Sequence, residues 1–89
     1  MKKPLSIKTR LMGKGITVST TEIDPDSIPY ETVVVHRSVH HEFFEIQISN
    51  TEKDARATHK EFVERWKKTP RKLVRELVEK LLAKANKGK

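Results

Sequence analysis

The hydrophobic period of this chain changes once, near Asn50, and that change limits the fold more than any other feature. Before it, apolar and polar residues alternate; after it, apolar residues recur every three or four positions. Alternation suits a strand with one face inward, and the longer period suits a helix with one side inward. Strands followed by helices point to an α+β fold in which the helices cover a sheet.

The alternating part divides at its turn signals. "GITVSTTEI" opens with Ile16, Val18 and Thr20 in alternation and is rich in β-branched residues, a strand signal. "DPDSIP", Asp24–Pro29, joins two prolines to two aspartates, and both residue types favour turns. "YETVVVHRSV" is a second strand, with Val33 and Val35 on one face and Thr32 and Val34 on the other. Residues His36–Glu42 hold the next turn, and "EFFEIQIS" is a third strand in which Phe44, Ile46 and Ile48 alternate with Phe43, Glu45 and Gln47. The expected product is a three-stranded antiparallel meander with one face needing cover. Room for a fourth short strand exists at Ser6–Leu11. Otherwise residues 1–14 read as a flexible basic segment, punctuated by Pro4, Gly13 and Gly15.

The cover is a helix that starts at Thr51. Thr51 suits an N-cap, and Glu52 and Asp54 suit the positive end of the helix dipole. Ala55, His59, Phe62, Val63 and Trp66 then fall on one side. Thr69-Pro70 interrupts, because a residue before proline is pushed out of helical geometry while proline fits a first helical position. A second helix, or the far limb of one kinked helix, carries Leu73, Val74, Leu77, Val78, Leu81, Leu82 and Ala85 as an apolar stripe. The chain thus divides into residues 1–14, a meander-plus-helix core over 15–68, and a basic amphipathic helix over 69–89.

With 89 residues the chain is one domain, and a domain this small buries only about 60–65% of its unfolded surface. Hydrophobic residues make up 35%, with three Phe, one Trp and one Tyr, so the core is thin. The absence of Cys removes disulfides, thiol catalysis and cysteine-ligated zinc. Two lysines open the chain, but no apolar run of signal-peptide length follows, and nothing approaches the ~18 apolar residues of a spanning helix. The expected location is the cytoplasm of a host cell, or a virion. Charge is unevenly spread. Residues 1–50 hold six Lys and Arg against six Asp and Glu, while residues 51–89 hold thirteen against six, so the whole +7 lies in the second part.

Tyr30-Glu31-Thr32 opening a strand, then Thr51-Glu52 with Ala55 and His59 on a helix ending near Trp66, resembles a set of very short proteins of tailed phages and prophages. The likeness covers Ile16 to Trp66. This chain departs from the pattern in two places: Val33-Val34-Val35 stands where Met-Val-Phe is common, and Thr58 stands where Gly often precedes the histidine. The resemblance implies a phage context and no particular activity.

Few residues look chemical. Four histidines, His36, His40, His41 and His59, raise metal binding, but their spacing matches no ligand motif, and an exposed turn accounts for the first three. His59 lies on the inward side of a capped helix, so it belongs to the packing with Phe62 and Trp66. No serine sits in a glycine-flanked elbow, and Gly13-Lys14-Gly15 is too short to cradle a phosphate. No enzyme and no cofactor are expected. The strongest signal is "RWKKTPRKLVR", where Arg65, Lys67, Lys68, Arg71, Lys72 and Arg75 place six positive charges in eleven residues without an acid. It reads as a nonspecific nucleic-acid patch or as a solvated helix face. The stripe Leu73, Val74, Leu77, Val78, Leu81 and Leu82 needs burial against the sheet or against another protein, self or foreign. Membrane binding is disfavoured because the basic helix lacks interfacial aromatics. The leading expectation is therefore a non-enzymatic phage-type accessory protein that acts by protein association, as a virion or host-interaction component. Nucleic-acid binding stands second, and a metal or enzymatic role through the histidines third.

Overall fold

A computed structural model of the chain describes residues 5–24, 28–39 and 42–87. Among the described residues four strands, β1 (Ser6–Leu11), β2 (Ile16–Asp24), β3 (Ile28–His36) and β4 (Glu45–Ser49), precede two helices, α1 (Glu52–Lys68) and α2 (Arg71–Lys87). The strands form one antiparallel sheet in the order β1-β2-β3-β4. The fold is α+β, a meander with the fourth strand present at Ser6–Leu11. That strand is one of the two outer strands of the sheet and lies within the segment expected to be flexible.

Register decides which residues make the core. Val18 pairs with Val34, Thr20 with Thr32 and Ile16 with His36. Successive residues point to opposite faces, so these pairs share one face. Helix α1 lies on that face and buries Ala55, His59, Phe62 and Trp66 there. Ile16, Val18, Val34, Phe62, Trp66 and Val74 form the core, each fully buried large side chain contributing about 1.5–3 kcal/mol. On the other face lie Lys8, Arg10, Thr17, Ser19, Val33, Ile46 and Ile48. Ile46 and Ile48 stay 49% and 44% exposed there.

Strand β4 is shorter than the alternation of Phe44, Ile46 and Ile48 implies. It begins at Glu45, and Phe44 leaves the isoleucine face to stack on Trp66 at 5.0 Å with 13° between the rings. An aromatic side chain gains more from the core than from the uncovered face. The turn expected over Asp24–Pro29 is shorter: Asp24 ends β2, Ile28 and Pro29 already belong to β3, and Asp24 pairs with Ile28; residues 25–27 lie outside the described residues, as do His40 and His41.

Thr51 caps α1: it is extended (φ −127°, ψ 155°), and its Oγ1 accepts from the Asp54 amide at 3.1 Å. Such a cap stabilises by about 1 kcal/mol. The helix stops at Thr69, extended at φ −72° and ψ 125°, the conformation a following proline enforces. Helix α2 then begins with the Val74 amide bonded to the Pro70 carbonyl at 3.1 Å. There are two helices, not one kinked rod.

Candidate functional site

The cations of the charge-rich stretch part company. Arg65 turns towards β4 and pairs with Glu45, while its guanidinium lies 4.8 Å from the centre of the Phe62 ring. The same Glu45 oxygen accepts from the Trp66 indole at 3.1 Å. With one face on Phe44 and its N–H on Glu45, Trp66 is a core residue and is not presented to a base. Lys67, Lys68 and Lys72 are exposed. Arg71 and Arg75, also exposed, line a cleft of about 390 Å³ together with Lys14, His36 and Arg37, with Glu79 as the acid among the described residues.

A meander explains this meeting, because the β1–β2 turn and the far end of β3 lie at the same end of the sheet. The turn, residues 12–15, is closed by the Lys14 amide on the Leu11 carbonyl at 3.1 Å. Gly13 takes φ +85°, the positive value required at the third position of a type II turn, and Gly15 takes φ +71°. A Cβ on Gly13 would come within 2.7 Å of the Arg71 guanidinium; one on Gly15 would meet His36 at 2.8 Å and Arg37 at 3.1 Å. The turn therefore passes close to two arginines. On its other side a second cleft, of about 450 Å³, is lined by Arg10, Met12, Gly15, Thr17 and again Arg37. Among the described residues, five Lys and Arg side chains and one acid line the two clefts together.

Lys14 has a separate task. Its ammonium donates to the Trp66 carbonyl at 3.0 Å and to those of Lys67 and Thr69. These carbonyls lie at the negative end of α1, where a cation is favourable, and the Trp66 carbonyl also accepts the Thr69 amide at 3.2 Å. Lys14 thus ties the turn to the joint between the helices. His36 accepts the Ser38 amide at Nδ1, 3.0 Å away. Burial lowers its pKa below the ordinary 6.5, the Arg37 charge adds to this, and a bond to the Lys14 backbone works against it. At neutral pH the charge of the cleft is therefore carried by Lys and Arg.

His59 is buried, with Thr20 Oγ1 2.8 Å from Nδ1 and Thr9 Oγ1 2.9 Å from Nε2; Thr20 in turn meets Thr32 at 2.8 Å. Burial lowers its pKa from 6.5. Both ring nitrogens are engaged by hydroxyls, which leaves neither for a ligand or a substrate proton. Among the described residues no three His, Asp or Glu side chains come together as a metal site, and no described helix is long and apolar enough to cross a membrane.

The apolar stripe of α2 is divided as well. Val74 is 3% exposed, and Leu77 and Val78 pack on the core. Leu81 lines a groove with Phe43, Phe44, Trp66 and Leu77. Leu73 and Leu82 face outward. Much of the stripe finds its mate within the chain.

Arg10, Lys14 and Arg37 do not stand out in the sequence. A linear cluster is visible as such, whereas scattered cations gain meaning only once a topology brings their segments together. The meander itself holds the clue, since it puts residues 12–15 and 36–38 at one end. Comparisons with protein families, curated proteins and solved structures found no match to this chain.

Proposed function

We propose that this is a non-enzymatic binding protein whose basic end engages the phosphate backbone of nucleic acid with little sequence preference. One observation carries the reading: Arg10, Lys14, Arg37, Arg71 and Arg75, from separate stretches of chain, surround two adjoining clefts in which Glu79 is the acid among the described residues. Unbalanced cations in a concave surface focus potential on an anion, and release of condensed counterions rewards a polyanion in particular. The likeness to short tailed-phage proteins supports a phage accessory role as the setting. Labelled duplex and single strands titrated at two salt concentrations test the idea. Replacing Arg37, Arg71 and Arg75 together by Gln is expected to weaken binding at low salt and to flatten the salt dependence, the slope falling by about one for each phosphate left unneutralised. Unchanged affinity in that variant would count against the proposal.

Protein association is the second reading, favoured by the exposed Ile46 and Ile48 beside Val33 on the uncovered sheet face. The partner it implies is a second copy, because an apolar row is complementary to itself across a two-fold axis. Sedimentation of the wild type and of an Ile46→Thr, Ile48→Thr variant separates the readings: a monomer in both cases removes this one. The stripe of α2 offers less, since its inner members are already packed.

A further inference from the structure

Met12, at the tip of the β1–β2 turn, is 89% exposed. A large apolar side chain so open to water contributes nothing to the thin core, yet its support is firmly held. The next residue but one, Lys14, is bonded to three carbonyls at the helix joint. The Gly15 carbonyl accepts the Arg37 amide at 3.0 Å. The tip is thus presented on a fixed base, which lowers the ordering cost of binding. Arg71 lies against Gly13 and Arg37 against Gly15, so each glycine of the turn has a guanidinium beside it. Met12 lines the cleft that contains Arg10 and Arg37, and Gly13 is common to both clefts.

Resting on the phosphate-binding reading above, we propose that Met12 is a wedge. With Arg37 and Arg71 holding phosphates beside the turn, the Met12 side chain enters the stack of a bound nucleic acid and parts one base step. Architectural minor-groove proteins use apolar wedges, methionine among them, in this way, because the bend that unstacking permits wraps more of the nucleic acid around the protein. Methionine suits the task because its unbranched, polarizable chain conforms to an irregular gap. The basic groups supply attraction, and the wedge supplies an interaction that salt does not screen.

The test uses duplex and single strands carrying 2-aminopurine, whose fluorescence rises when it leaves the stack. Three full-length proteins are compared: wild type, Met12→Ser and Arg37→Gln. The wild type is expected to bind the duplex with a fluorescence rise. Met12→Ser, a change at a solvent-exposed turn tip, should bind more weakly with the salt slope retained and the rise lost. Arg37→Gln should lower the slope by about one. If Met12→Ser binds and unstacks like the wild type while Arg37→Gln loses slope, the wedge is overturned and phosphate binding stands. A wild type that binds single strands alone, without duplex fluorescence, also overturns the wedge. A wild type that binds neither probe overturns both proposals.

Discussion

Helices α1 and α2 have 17 residues each and both are amphipathic, yet they are held in very different ways. The first sinks Ala55, His59, Phe62 and Trp66 into the covered side of the sheet and touches all four strands. The second is attached mainly through Val74, Leu77 and Val78, at the end where α1 stops. Helix α1 crosses the core face and meets all four strands, whereas α2 has no comparably extensive contact with any described element. The second helix, arriving after a proline turn, reaches the core only through Val74, Leu77 and Val78. An apolar stripe measures how much a helix has to bury and says nothing of how much room remains to bury it.

The largest effect that would sharpen this contrast comes from paired truncations. Trp66→Ala removes the ring stacked on Phe44 and the indole bond to Glu45, and is expected to cost about 3–5 kcal/mol. Val74→Ala, at the most buried position of α2, should cost about 1.5 kcal/mol from the apolar surface removed. Urea unfolding of both variants provides the comparison. Equal losses would mean that α2 is as much part of the core as α1, and the contrast would be broken.

The same contrast explains what could be read from the chain alone. Period, caps and breakers act within a few residues, and they located both helices, the Thr51 cap, the stop at Thr69-Pro70 and the inward side of α1. The start of β4 was legible only in part. Alternation runs through Phe44, but stacking on Trp66, 22 residues on, turns Phe44 out of the pattern. The candidate site was half visible for a related reason. Arg71 and Arg75 stand in a dense run of charge, whereas Arg37 is a lone cation after a strand and Arg10 one residue of another. They become neighbours only through the order in which strands pair. His59 was legible as a packing residue from its place on the inward side, but its partners Thr9 and Thr20 lie 50 and 39 residues away.

His59 provides the next test, because it sits where α1 meets the sheet and α2 has no counterpart. His59→Ala leaves Thr9 without its partner, costs Thr20 one of its two bonds and opens a void; the expected loss is about 2–3 kcal/mol. The wild type should also reveal the imidazole through pH. Burial holds the folded-state pKa of both His59 and His36 below 6.5. The unfolded chain therefore takes up protons first as the solution is acidified. The stability these neutral rings contribute is complete above about pH 6.5 and falls as pH drops below that value towards the lower folded-state pKa. Denaturant midpoints between pH 5 and 8 check the sign, and His59→Ala should have a shallower acid slope. A midpoint that rises on acidification through this window would contradict the burial of these rings.

The smallest effect concerns the joint itself. Lys14 ties the sheet to the carbonyl end of α1 just before α2 departs. Lys14→Met keeps the length of the stem and removes its three bonds. The carbonyls at a partly exposed helix end can turn to water instead, so the loss should be only about 1 kcal/mol. Its distribution matters more than its size. Because α2 is held by few buried side chains, a looser joint should raise amide exchange in α2 well before that of α1, whose amides stay under the packed face. Hydrogen exchange on the variant reads this directly. Faster exchange spread equally over both helices would mean that they open as one unit, and that the second helix is fastened as firmly as the first.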